Sequence, residues 1–237
     1  MPFKTLLSSL LSFSLLTATA QTQSLSAISS VDQPLSQQMA ATVMKIWKDS
    51  FSLEENRPAR WSYDQGVILK GFENIWVNTG VPRYFEYIQR SMDFFVVDGG
   101  NAIKGYRPDE YNIDHINNGK ILLLLFRVTG QQKYLKAAQL LRDQLRSHPR
   151  TKEGGFWHKK IYPWQMWLDG LYMGSPFYAE YAMLAHEDSA FNDIANQFVW
   201  MEKHARDAKT GLLYHGWDES KQQRWANPIS GVSPHFW

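Results

Sequence analysis

Residues 71–84 read GFENIWVNTGVPRY and residues 121–134 read ILLLLFRVTGQQKY. The two stretches follow one plan, fifty positions apart. Trp76-Val77-Asn78-Thr79-Gly80 stands ahead of Arg83-Tyr84, and Phe126-Arg127-Val128-Thr129-Gly130 stands ahead of Lys133-Tyr134. In each, an apolar helical run closes on a glycine, the residue that best adopts the left-handed turn after a helix, and an amphipathic run begins. Ala185-His186-Glu187-Asp188-Ser189 before Phe191 is a weaker third copy. Helix, turn and helix repeating at this period means stacked helical hairpins, which either extend as an open solenoid or close into a double ring of helices, an α/α toroid.

Outward from these hinges the helical period dominates. It predicts helices over Leu35–Phe51, Gln65–Asn78, Pro82–Val97, Asn117–Thr129 and Gln132–Arg146, one within Trp164–Ala185, and one over Phe191–Arg206. Pro82 falls where a first-turn proline is tolerated. The run Ile121–Phe126 is apolar all round and suits an inner helix. Short extended pieces are expected around Gly155–His158 and Gly211–His215. The connections Gly99–Asp114, His148–Pro163 and Thr210–Pro234 are long and rich in Trp, His, Arg, Asp and Gly, and such loops usually carry function. Gathered at one end of a toroid they would wall a deep pocket, and the toroid is the expected fold.

The chain ends carry other signals. Lys4, the apolar run Leu6–Leu16 and Ala18-Thr19-Ala20 form a targeting segment with a small-residue cleavage site. The mature protein is expected to begin near Gln21, exported to the periplasm or beyond the cell and free of the membrane after cleavage. Residues 21–34 read as a loose lead-in and 35–237 as the folded domain. There is no cysteine among the 237 residues, which excludes disulfides, a lipoprotein anchor and a thiol nucleophile. Twenty-five basic against 23 acidic residues give no reason to expect nucleic acid or an anionic membrane as partner. Ten Trp, eleven Tyr and thirteen Phe suit ligands with flat apolar faces, sugars among them, and equally suit a helical core.

Residues 163–177, PWQMWLDGLYMGSPF, hold a single carboxylate, Asp169, among apolar and small neighbours. An unpaired buried carboxylate is costly, so Asp169 is either a satisfied structural group or a carboxyl whose proton is used. Asp114 poses the same choice, with helix capping as its structural reading. Meeting in a cleft, two such groups divide labour, one protonated and one ionised. Lys159, Arg150 and His215 are candidates to hold an anionic ligand, and Trp167 and Trp217 to stack on a ring. The histidines are scattered without metal-ligand spacing, so no metal or cofactor is expected, and no phosphate-binding glycine loop is present.

The runs HPRTKEGGFWHKKIYPWQMWLDGLYMGSPF, DEYNIDHINNGK and LLYHGWDES resemble the unsaturated rhamnogalacturonyl hydrolases of glycoside hydrolase family 105, relatives of the unsaturated glucuronyl hydrolases of family 88. The resemblance covers residues 35–237. It implies an (α/α)6 barrel and a substrate with a 4,5-unsaturated galacturonyl residue at its non-reducing end, taken from rhamnogalacturonan. It also implies an unusual reaction, in which an aspartic acid protonates C4, water adds at C5, and the resulting hemiketal opens to break the glycosidic bond. Asp169 matches the family's general acid/base and Asp114 the second pocket aspartate. Trp167, Lys159 and His215 match pocket-lining positions, and Tyr63 matches more softly through W-S-Y-D-Q-G. The family pattern runs on from S-P-x-F-W to a glycine, an arginine for the substrate carboxylate and a further tryptophan. This chain stops at Trp237, so the expected barrel lacks its C-terminal helices. Three alternatives stay open: an unsaturated glucuronyl hydrolase on glycosaminoglycan-type chains, an inverting glycosidase using Asp114 and Asp169 as base and acid, and a carbohydrate-binding helical scaffold without catalysis.

Overall fold

The computed structural model describes residues 33–48 and 58–237. The targeting segment and nearly all of the lead-in lie outside the described residues. The chain divides into two units, Met1–Pro34 and Leu35–Trp237, and all the described helices and strands belong to the second.

Its helices are α1 (Leu35–Ile46), α2 (Tyr63–Thr79), α3 (Pro82–Asp93), α4 (Gly119–Thr129), α5 (Gln132–Ser147), α6 (Leu168–Ala185) and α7 (Ala190–Ala205). α2 with α3, α4 with α5, and α6 with α7 form consecutive packed pairs, while α4 also packs between α2 and α6. The fifty-residue plan is visible in the backbone. Gly80 at φ 66° and Gly130 at φ 69° are left-handed, and their amides donate to Trp76 O at 2.7 Å and Phe126 O at 2.8 Å. The weak third copy makes the same turn with His186 at φ 56°, a conformation that costs a side-chain-bearing residue about 1–2 kcal/mol.

The α4 sequence is explained by its place. Gly119 to Leu125 are all buried, because neighbours cover the helix on every side. α6 is interrupted chemically by Pro176, which has no N–H for the Tyr172 carbonyl, yet the helix runs through to Ala185. The main core gathers residues from α1 to α7, including fully buried Leu69, Tyr84, Tyr87, Ile121, Leu141 and Phe177. A smaller cluster of Met166, Met201, Ala205 and Trp217 packs separately. Among the described residues, no helix is long and apolar enough to cross a membrane.

Several boundaries differ from expectation. α1 stops at Ile46 rather than Phe51, although residues 49–57 lie outside the described part. α3 stops at Asp93, because the β-branched pair Val96-Val97 forms strand β1, antiparallel to β2 (Ala102–Ile103). The expected extended pieces make only single pairings, Arg150 with Phe156, Arg206 with Leu213 and Tyr214 with Phe236. The strands lie just beyond them: β3 (Gln165–Trp167) pairs antiparallel with β4 (Gly216–Asp218), setting Trp167 opposite Gly216.

Candidate active site

The stretches that carry Tyr63, Asp114, His158 and His215 converge, in that order the first to the fourth segment of the site. The 3-10 turn Ile113–Asn118, which carries Asp114, is clamped between α2 and α6. On the α2 side, Gly66 N donates to Asn118 Oδ1 at 2.7 Å and Asn117 Nδ2 donates to Tyr63 O at 2.8 Å. A methyl group on Gly66 would meet the Asn117 carbonyl oxygen at 2.9 Å, so the turn approaches as closely as a bare backbone allows. On the α6 side, Gly174 gives Ile113 the same room. Ile113 N donates to His158 O at 3.0 Å, tying in the third segment, and Leu168 N donates to His215 O at 2.8 Å, tying in the fourth.

Asp114 is buried and doubly paired. Its Oδ2 lies 2.7 Å from Lys159 Nζ, and its Oδ1 lies 3.2 Å from His158 Nε2. Its amide is held by Asn112 Oδ1 at 3.1 Å, so the capping role read from the sequence belongs to Asn112. Burial pushes the Asp114 carboxyl up, but His158 and Lys159 outweigh it and hold the group down to about 2. Asp114 is therefore the ionised partner.

Asp169 stands in the first turn of α6. Its Oδ1 is buried with no hydrogen-bond partner among the described residues. One ligand atom each from Asp114, His158 and Asp169 lie within 4.8 Å of one another. Such a trio is able to hold a cation, and spacing in the sequence gave no hint of it. At Asp114, however, the Lys159 ammonium already supplies the positive charge.

The aromatic residues sort differently from the sequence reading. Trp167 lies beside the carboxylates, but its indole is already stacked, with His158 at 4.3 Å and Tyr162 at 5.0 Å, both nearly parallel. It therefore shapes the site by orienting His158, with little open face left for a sugar. His215 tilts against Trp167 at 5.4 Å and stacks on Trp237 at 4.7 Å. Both Trp167 and His215 line a cleft of about 510 Å³ together with Tyr162, Gln165, Gln223 and Trp225. Trp217 does not line it. It is a core residue, 5% exposed, stacked on His204 at 3.8 Å. Strand alternation explains this, since Gly216 opposite Trp167 borders the cleft and its neighbour turns the other way. Tyr63 is partly exposed at the start of α2, where its described link to the site is through its backbone carbonyl. Arg150 is unavailable to a ligand, because Asp193 grips it with two bonds of 2.7 and 2.8 Å.

His158, Tyr162, Gln165, Gln223 and Trp225 were missed as site residues. His158 lay in plain view within H-K-K, but a lone histidine gives no signal until Asp114 is beside it. Trp225 sits in a stretch with no helical or strand period to orient it.

A family model described as Glycosyl Hydrolase Family 88 matches residues 35–237. The chain belongs to this family. The family-88 chain is 26% identical over 202 residues to the unsaturated rhamnogalacturonyl hydrolase YesR of Bacillus subtilis (strain 168), covering 83% of this chain and 54% of that protein. A solved family-105 glycoside hydrolase from C. acetobutylicum ATCC 824 superposes with a TM-score of 0.79 at 47% identity, over 86% of this chain and 55% of that one. The α-1,6-mannanase GH76A of Salegentibacter sp. HEL1_6 superposes at 0.62 with 16% identity, over 77% of this chain and 54% of that one, and shares the fold alone. The fold of this family-88 chain is that of the (α/α)6 barrels, and the chain spans about half the length of the relatives it matches.

Proposed function

We propose that this chain acts on oligosaccharides ending in a 4,5-unsaturated galacturonyl residue from rhamnogalacturonan, with Asp169 as general acid and base. The observation that carries the reading is the contrast between the two aspartates. Asp114 is held ionised by the charged and hydrogen-bonding groups of His158 and Lys159, so it has no proton to give. Asp169 Oδ1 has no hydrogen-bond partner among the described residues, and a carboxylate oxygen of Asp169 lies within 4.8 Å of a ligand atom of Asp114 and of His158. Proton work therefore falls on Asp169.

In this reading Asp169 gives its proton to C4 of the vinyl ether, and the ring oxygen stabilises the cation that develops at C5. The carboxylate, now ionised, takes a proton from the water that adds at C5. Loss of the glycosidic bond follows from opening of the hemiketal. Asp114 keeps a fixed negative charge beside the developing cation, and Lys159 keeps Asp114 in place. The neutral, aromatic cleft beside His215 receives the sugar that leaves. The short carboxyl separation speaks against the inverting alternative, which needs about 6.5–9.5 Å for an intervening water; here an oxygen of each aspartate lies within 4.8 Å. The targeting segment leads us to place the reaction outside the cytoplasm.

The test follows ultraviolet absorbance of an unsaturated rhamnogalacturonan disaccharide, which vanishes when C4=C5 is hydrated. The chain is expected to bleach it and Asp169→Asn to stop the bleaching. Cleavage of a saturated glycoside with the double bond left intact would overturn the reading.

A further inference from the structure

A second groove lies ahead of the turn that carries Asp114 in sequence and shares no lining residue with the cleft beside His215. It runs between the segment 101–111 and the C-terminal half of α5, and encloses about 530 Å³, within the range of roughly 300–1,000 Å³ that small-molecule clefts take. Its apolar strip is Ala102, Ile103, Pro108 and Leu140, with the rings of Tyr106 and Tyr111. Its polar groups are Asn101, Asp109, Asp143, Gln144 and Ser147.

We propose that this groove binds a neutral pyranose unit of a glycan, a second saccharide site separate from the cleft beside Asp169; the choice of a sugar rests on the proposed function. Three observations carry it. The first is the mixture of groups. Two tyrosine rings and a proline offer flat apolar surface to the C–H face of a sugar, while the Asn101 amide and the Asp109 carboxylate accept from its hydroxyls. The second is charge. The lining holds two carboxylates and no lysine or arginine. Nearby Arg107 is paired with Glu110, and Arg146 with Asp143 and Glu187, while Asp109 makes no ion pair among the described residues. Lys160 lies outside the lining, 5.8 Å from the centre of the Tyr111 ring. Asp109, the lining carboxylate left without an ion pair among the described residues, disfavours a uronate here and leaves a neutral sugar unaffected. The third is strain. Tyr111 is held at φ 43°, a left-handed conformation that costs a tyrosine about 1–2 kcal/mol, and its ring is braced edge-on by His148 at 5.6 Å. Backbone cost of this kind concentrates where a side chain must be presented.

The groove also reports to the site. Gln144, buried in its floor, accepts from Tyr106 Oη at 2.8 Å and donates to Asn112 O at 3.1 Å. Asn112 in turn holds the Asp114 amide.

The experiment is a set of ¹⁵N–¹H titrations of the full chain with methyl α-rhamnopyranoside, galacturonate and glucosamine as probes. The neutral glycoside is expected to shift the amides of Tyr106, Tyr111 and Gln144 at millimolar concentration, with galacturonate weaker. Asp109→Lys is expected to reverse that order, and Ala102→Trp to abolish the groove shifts by filling it. Shifts confined to the cleft beside His215, or groove shifts caused by glucosamine alone, overturn the proposal. Bleaching of the unsaturated disaccharide by the same samples reads the first proposal independently. A sample that bleaches without groove shifts sinks the groove alone, and groove shifts without bleaching sink the Asp169 reading alone.

Discussion

Lys159 Nζ stands 2.7 Å from Asp114 Oδ2 and, second to His158, holds this carboxyl ionised against the opposing effect of burial. Lys159→Met leaves Asp114 with His158 alone. Removing one partner of a largely buried pair destabilises by about 3 kcal/mol. The pH dependence has a definite sign. A carboxyl held at about 2 when folded contributes stability above its unfolded value of 3.8, and that contribution disappears as pH falls towards 2. The gap between the native chain and Lys159→Met should therefore be widest near neutrality and close between about pH 4 and 2, read by denaturant melts across that range.

Asp169→Asn separates chemistry from folding. The amide is isosteric, and Asp169 Oδ1 has no described hydrogen bond to lose. Loss of a general acid lowers rates by about 10²–10⁴-fold. The expected outcome is that loss of bleaching with an almost unchanged melting temperature. A large drop in melting temperature would instead mark Asp169 as structural.

Two glycines of α2 should respond oppositely to the same change. Gly71→Ala meets nothing within 4 Å and should gain about 1 kcal/mol from helix propensity. Gly66→Ala drives a methyl to 2.7–2.9 Å from Asn117 and Asn118, including a backbone oxygen. Overpacking of this kind costs about 1–3 kcal/mol, outweighing the propensity gain. Because those asparagines belong to the turn of Asp114, Gly66→Ala should also lose activity. Paired urea titrations and the bleaching assay check both.

His148 is buried with Nε2 donating to Trp157 O at 2.7 Å. Burial first, then the nearby charges of Arg150 and His158, lower it to about 4 against a partial offset from the Trp157 carbonyl. Between the unfolded value of 6.5 and about 4 the unfolded chain binds the proton and the folded one does not. Stability should fall as pH drops through that window, by on the order of 3 kcal/mol in total. His148→Gln, which keeps a donor but does not titrate, should flatten the slope.

Trp217 and Trp225 divide stability from binding. Trp217→Ala empties a core position and should cost about 3–5 kcal/mol. Trp225→Ala touches the cleft wall and should weaken saccharide binding with a much smaller loss of stability. Melts and binding isotherms on the two variants decide it.

The hairpin plan was legible because it is local. A glycine after an apolar run and a fixed repeat encode Gly80 and Gly130 without help from distant residues. Asp169 stands out in the sequence for a related reason, as a charge misplaced in an apolar window. The partners of Asp114 were only half legible. Lys159 stood out beside a motif, while His158 acquires meaning from a turn more than forty positions earlier. Trp217 was misjudged because residue type was visible but strand facing was not. β3 and β4 face as they do through mutual pairing, which a three-residue segment does not announce. Arg150 misled likewise, since its partner Asp193 lies on a helix read separately.

The clamp that joins Gly66 to Asn118 and Asp114 to Lys159 has a kinetic consequence. Each of these bonds closes a loop of about fifty residues, whereas the hairpin turns close within a few. Loop-closure entropy is met before such distant pairings reward it, so helical content is gained early and the pocket late. A refolding chain should recover its circular dichroism well before the pocket closes, and on the proposed function the return of bleaching, rather than of helicity, is the signal that folding has finished.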